Sequence, residues 1–279
     1  MQFAYGVLVW DRPFLAHLHT LLAIFPSDAV VSLPGFVKAA LYWLKERIEK
    51  RRTVPCGRLV RRQSSLFRID AKAEGQDVAI GGWVPFRDPT DGSIIKARSA
   101  WFAVRVTAAE APWAFDRGEP YKAISALELL AVVVGLIAVK PHAAEGERLQ
   151  SVVSVKWHTD SLVAAHVFGK ALTTSFPLCL VAMEVAAQME SMGLDLSLGW
   201  IPRERNAEAD DLSNLKTAGF ADDLRVHVDL NQMPFLVLGR LAEGAKDFYG
   251  HAQVLRAKAV SVRHRRARPA DRLRTRDPW

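Results

Sequence analysis

The segment Lys122–Val139 (KAISALELLAVVVGLIAV) limits the possible folds more than any other part of this chain. It is long enough for a helix and apolar almost all round, so it predicts a helix covered by protein on every side. Its uninterrupted apolar part, Leu129–Val139, is too short to span a bilayer, as is Phe14–Phe25. Glu128 is the only charge from Ala123 to Val139. A buried carboxylate without a partner costs several kcal/mol or stays protonated, so Glu128 either snorkels from one exposed stripe or has a specific job.

The flanking sequence supplies the layer that such a helix needs. Leu66–Ala73, Val78–Phe86 and Ile94–Val106 read as strands of an antiparallel meander, with Asp88–Ser93 (DPTDGS) as a hairpin turn. Val152–His158 reads as a strand, Asp160–Leu172 and Phe176–Met192 as helices, Leu196–Ile201 as a strand and Asn206–Lys216 as a short helix. The order βββαβααβα predicts an α/β arrangement: a mixed five-stranded sheet flanked by helices, in which the later strands need crossover connections. Phe14–Phe25 and Phe36–Arg51 carry helical spacing, and Thr53–Gly57 breaks it. Pro234–Ala252 reads as an amphipathic helix, and the Arg-rich chain after Val254 is expected to be disordered. The expected segments are 1–63 (helical), 64–216 (α/β), 217–253 (helical extension) and 254–279 (basic tail).

Charge is also unevenly spread along the chain. Residues 1–68 carry 11 Lys/Arg against 4 Asp/Glu, residues 69–253 carry 17 against 24, and residues 254–279 carry 9 against 2. The net charge of +7 therefore hides an acidic middle between two basic flanks, which suggests separate tasks for the two. Lys45–Arg62 alone holds eight Lys/Arg against two Glu. Two cysteines, Cys56 and Cys179, make neither a disulfide framework nor a four-ligand zinc site. No signal-peptide pattern surrounds Phe14–Phe25, so the expected location is cytoplasmic or nuclear, without a membrane.

Four acidic positions need an explanation. Asp70 lies mid-strand, where it is either outward-facing or partnered. Asp160 ends a strand and begins a helix, and helix N-capping alone would account for it. Asp210 and Asp211 lie in the first turns of a short helix, where the helix dipole favours acidic residues. Together with Glu128 they can converge at one edge of a layered sheet. Convergent carboxylates repel one another unless cations hold them, and an oxygen-only ligand set favours Mg²⁺ or Mn²⁺. Two such ions about 4 Å apart are the usual device for in-line phosphodiester cleavage.

The motifs around these residues are Arg68-Ile69-Asp70-Ala71 with Gly81-Gly82-Trp83, Leu127-Glu128-Leu129-Leu130-Ala131, His158-Thr159-Asp160-Ser161, and Asn206-Ala207-Glu208-Ala209-Asp210-Asp211-Leu212-Ser213. In this order they resemble the ribonuclease H domain of reverse transcriptases and type 1 ribonuclease H, over roughly Ser64 to Leu215. The last block is similar to the N-x-x-A-D-x-L-S ending of retroelement ribonuclease H domains, especially those of retrotransposons encoding tyrosine recombinases. The resemblance implies that Asp70 bridges two Mg²⁺ ions (or Mn²⁺), that Glu128 and Asp160 complete one site, and that Asp210 holds the other ion, with Asp211 as a backup. The Glu in second place separates this pattern from integrases and transposases of the same superfold, whose Glu comes late.

The resemblance also implies a substrate, the RNA strand of an RNA–DNA hybrid. The alternative is an inactive ribonuclease H-like fragment that binds nucleic acid or supports a partner polymerase. The N-terminal segment, including Trp10–Leu21 and Ala39–Ile48, is similar to the polymerase side of a retroelement protein, although no Tyr-x-Asp-Asp motif and no tyrosine-recombinase signature occurs. Many family members carry a His in the loop before the last helix. Here that loop is Ile201–Arg205 (IPRER), and Asn214 stands where an Arg is common. His158 reads as a structural residue rather than a substitute for the missing His.

Overall fold

Five strands form one sheet: β1 (Leu59–Glu74), β2 (Asp77–Val84), β3 (Ala100–Arg105), β4 (Ser151–Thr159) and β5 (Leu194–Trp200), in the spatial order β3-β2-β1-β4-β5. β1, β2 and β3 are an antiparallel meander, and β4 and β5 add in parallel beside β1. This is the mixed five-stranded sheet, flanked by helices, expected of a ribonuclease H-like chain. The computed structural model describes residues 11–25, 30–49, 59–116, 118–139, 151–171, 173–242 and 244–254. The helices are α1 (Arg12–Ile24), α2 (Gly35–Glu49), the single turn α3 (Pro112–Phe115), α4 (Ile124–Val139), α5 (Leu162–Lys170), α6 (Leu178–Met192), α7 (Ala207–Ser213) and α8 (Leu238–Ala242). Residues 245–254 are also helical.

α4 is the apolar helix, and it is the centre of the core. Leu127, Leu129, Leu130 and Val132–Val134 are almost fully buried against the sheet and α6. By length and composition Pro120–Ala138 could cross a membrane, but 72% of it is buried inside the protein. Gly135 lets it approach closely: a Cβ there would stand 2.6 Å from the Phe67 ring and 3.2 Å from Trp157. Strand alternation divides the layers. Phe67, Ile69, Ile80, Phe102 and Trp157 face α4 and α6, whereas Trp83, Trp101 and Ala103 face α7 through Ala209 and Leu212.

Several boundaries differ from the sequence reading. β1 begins at Leu59, ahead of the expected boundary near Ser64. The third strand begins at Ala100 rather than Ile94. Ile94 makes only an isolated bridge with Arg87, and the Ser99 hydroxyl accepts from Phe86 N and donates to Ile95 O, each at 2.9 Å, closing an excursion before the strand. The long helix expected over Pro234–Ala252 is two shorter pieces, interrupted at Gly244, whose φ of 70° lies in the left-handed region.

The N-terminal helices share the main core. Phe14, Phe36, Val37 and Ala40 belong to the same buried cluster as the sheet residues. Arg47 of α2 pairs with Asp11 at 2.7 Å and with Glu190 of α6. The Tyr249 hydroxyl hydrogen-bonds His17 Nδ1, joining α1 to the C-terminal helical residues. Burial drives the His17 ring down to about 4, so it is neutral at physiological pH. Cys179 is buried in α6, and burial pushes its thiol up. Cys56 and the basic stretches 50–58 and 255–279, including the tail expected to be disordered, lie outside the described residues.

Candidate active site

The parallel register of β1 and β4 runs as far as Arg68↔His158, and β4 ends at Thr159. Asp70 and Asp160 follow those partners at the same offset, so they stand together where the parallel pairing stops. Crevices outside the carboxyl ends of parallel strands are the usual binding position in open α/β sheets. Glu128 arrives from α4. Carboxylate oxygens of Asp70, Glu128 and Asp160 all lie within 4.8 Å of one another. Asp70 is 6% exposed and Glu128 4%, so neither is an outward-facing surface acid. Nor is Asp160 the cap of α5. That role belongs to Ser161, whose Oγ accepts from Ala164 N at 3.2 Å, which leaves the Asp160 carboxylate free for the cluster.

Hydroxyls and amides fix the three groups. Thr159 Oγ1 donates to Glu128 Oε2 at 2.9 Å. The Ser213 hydroxyl of α7 donates to Asp70 Oδ2. Asn206 Nδ2 donates to the Ile69 carbonyl at 2.9 Å and reaches Asp160 Oδ1 at 3.5 Å. Burial lifts the Asp70 carboxyl to about 7, opposed by the Ser213 hydrogen bond and aided by the Asp160 and Asp210 charges. Glu128 is pushed well above the usual range, first by burial and then by Asp70 and Asp160. A free cluster of this kind retains protons near neutral pH, and a bound cation would displace them.

The last motif acts through packing as well as charge. Asp70 is opposite Gly81 in the β1–β2 register. A Cβ at Gly81 would come within 2.6 Å of Leu212 Cβ and of Ser213 N, so only glycine lets α7 lie this close to Asp70. Asn206, fully buried, holds the start of α7 to β1. Thr159, Asn206 and Ser213 lie within the sequence motifs, but nothing in the sequence assigns them a role. Their signal is the burial of a polar residue beside a carboxylate, which becomes visible only in three dimensions.

Asp210 lines the same cavity as the three clustered acids, but it does not belong to the group whose oxygens all lie within 4.8 Å of one another. It pairs with Arg203 of the loop before α7. Asp211 turns away to Lys216 at 4.0 Å and is absent from the cavity wall. The cavity is about 460 Å³, and Lys72, Glu74, Ser161, Ser213 and Asn214 complete much of its lining. His158 is half-buried and does not line it; burial, then Lys156 and Arg68, hold its ring below the ordinary value. Three carboxylates with oxygen donors only, at the mouth of an open cavity, fit a hard divalent cation with room for water and phosphate.

No family model matches the sequence, and no curated protein matches it. Among solved structures the chain is similar to RNase H1 from the halophilic archaeon Halobacterium salinarum (18% identity over 55% of this chain and 97% of that one, TM-score 0.35). It is also similar to the N-terminal RNase H domain of a Mycobacterium tuberculosis protein (19% identity, 55% and 94%, TM-score 0.34). A third is LC11-RNase H1 in complex with RNA/DNA hybrid (17% identity, 54% and 94%, TM-score 0.32).

Proposed function

We propose that this chain is a metal-dependent endonuclease that hydrolyses the RNA strand of RNA–DNA hybrids, as part of or derived from a retroelement reverse transcriptase. The observation that carries this reading is the meeting of Asp70, Glu128 and Asp160, from three separate elements, within 4.8 Å where the parallel strands end. The N-x-x-A-D-x-L-S ending, Asn206 to Ser213, supports it from the sequence.

In this reading Asp70, Glu128 and Asp160 would hold one Mg²⁺ or Mn²⁺, and Asp210 together with Asp70 a second. Bound there, the cations would supply Lewis-acid activation of water and charge neutralisation at the phosphodiester. Thr159 and Ser213 keep Glu128 and Asp70 aimed at the cavity. Lys72 lines the cavity wall, with its ammonium paired to Glu74 and Asp77 at 3.2 Å each. Selection of RNA would come from contacts to 2′-hydroxyls across the minor groove. The basic flanks would track the backbone in a salt-dependent, sequence-independent way.

The test is a cleavage assay on end-labelled RNA–DNA hybrid, duplex RNA and duplex DNA with Mg²⁺, Mn²⁺ or EDTA. The expected result is cation-dependent cleavage of the RNA strand of the hybrid alone, leaving 5′-phosphate and 3′-hydroxyl ends. The Arg203–Asp210 pair and the absence of a loop His favour the second reading, a binding-only domain. That reading predicts hybrid retention in a gel without cleavage under any cation.

A further inference from the structure

The loop without a His puts a guanidinium on the fourth carboxylate. Arg203 opens a single 3₁₀ turn, Arg203–Arg205, between β5 and α7. That turn is anchored to the sheet, because Arg68 Nη1 of β1 donates to the Arg205 carbonyl at 2.7 Å. From it, Arg203 Nη2 donates to Asp210 Oδ1, and both residues line the cavity of the carboxylate cluster. The Arg203 side chain is 72% exposed and that of Asp210 24%, so the carboxylate is set in the wall and the guanidinium covers it from the solvent side. Asp210 is the main attraction on Arg203, with Asp70 and Asp160 adding to it.

We propose that Arg203 competes with the second divalent cation for Asp210, so that the free protein takes one ion at Asp70, Glu128 and Asp160, and a second only when Arg203 leaves. This rests on the ribonuclease H reading above. A guanidinium and a dication repel each other at one carboxylate, and the pair already in place must be given up before an ion can enter. A phosphodiester offers Arg203 an alternative partner with matching bidentate geometry. Arrival of the nucleic-acid backbone therefore draws the guanidinium off Asp210 and opens the second position, coupling its filling to substrate. Loss of one positive charge a few Å from a dication at a solvent-screened site is worth on the order of tenfold in affinity.

Mn²⁺ titration of the full chain without nucleic acid, followed by the electron paramagnetic resonance signal of free Mn²⁺, tests this. The expected result is a second binding class about tenfold tighter in Arg203→Gln than in the wild type. That class stays near wild type in Arg203→Lys and disappears from Arg203→Gln when Asp210→Asn is added. A second class of the same affinity in wild type and Arg203→Gln overturns the competition. If instead Asp70→Asn leaves the first class intact, the metal-site reading of the cluster fails, which is a separate outcome.

Discussion

Thr159 Oγ1 donates to Glu128 Oε2 at 2.9 Å, and the same oxygen accepts from Ser161 N at 3.0 Å. One buried hydroxyl thus orients the helix-borne carboxylate and the turn that carries Asp160. Thr159→Val keeps the shape and removes both bonds. A hydrogen bond to a charged group is worth about 1.5–3 kcal/mol, so the affinity for the first divalent ion should fall roughly tenfold or more. Thr159→Ser should restore it. Calorimetric Mn²⁺ binding reads this, and an unchanged affinity in Thr159→Val would remove Thr159 from the site.

The raised carboxyls make the metal-free protein sensitive to pH. Asp70 titrates near 7 when folded against an ordinary value of 3.8, so between those values the folded state holds more protons than the unfolded chain. Stability therefore falls as pH rises through that window, and Glu128 extends the trend upward. In EDTA the melting temperature should drop from about pH 5 to about pH 8, and Asp70→Asn should flatten the slope. Mg²⁺ should stabilise more at the higher pH, because it binds the deprotonated groups. Thermal melts with and without Mg²⁺ check both signs.

Gly81→Ala tests the approach of α7. The added methyl meets Leu212 and Ser213 N at 2.6 Å, and the backbone atom cannot yield as a side chain would. Overpacking of this kind costs about 1–3 kcal/mol. The unfolding free energy from urea titration should fall by that amount, and cleavage should fall further than stability explains, because Ser213 and Asp210 move away from Asp70.

Glu184 of α6, fully buried, is predicted to clamp the C-terminal extension. It accepts from Leu236 N at 2.9 Å and from Val237 N and Leu238 N at 2.8 Å each, and from Gln188 Nε2 at 2.8 Å. Glu184→Ala leaves the buried Val237 and Leu238 amides without an acceptor, at about 1–3 kcal/mol each if neither relaxes, while Gln188 Nε2 keeps the Pro234 carbonyl. Urea unfolding should show a large loss, and limited proteolysis should cut first near residues 236–254. Mn²⁺ affinity of the remaining fold should be retained.

The layer order, the meander, the buried helix and the convergence of Asp70, Glu128 and Asp160 were legible because each has a local signal. Glu128 is a lone charge in an apolar helix, and Asp70 interrupts a central strand. Partnership over distance was not legible. Nothing near Glu184 announces that its partners are the amides of Leu236–Leu238, and nothing near Asp160 says that Ser161 takes the cap. The same limit hid the pairing of Arg203 with Asp210, because an Arg in a polar loop looks like ordinary solvated charge. Gly244 could have shortened the helix expected over Pro234–Ala252, had the φ it adopts outweighed the apolar spacing around it.

The most direct measurement is Mg²⁺-dependent cleavage of a labelled RNA–DNA hybrid by wild type, Asp70→Asn and Glu128→Gln purified side by side. The account predicts RNA-strand cleavage by the wild type and its loss in both variants, with the hybrid still bound. Cleavage that survives both substitutions, or a wild type that binds the hybrid and never cuts it, contradicts the account.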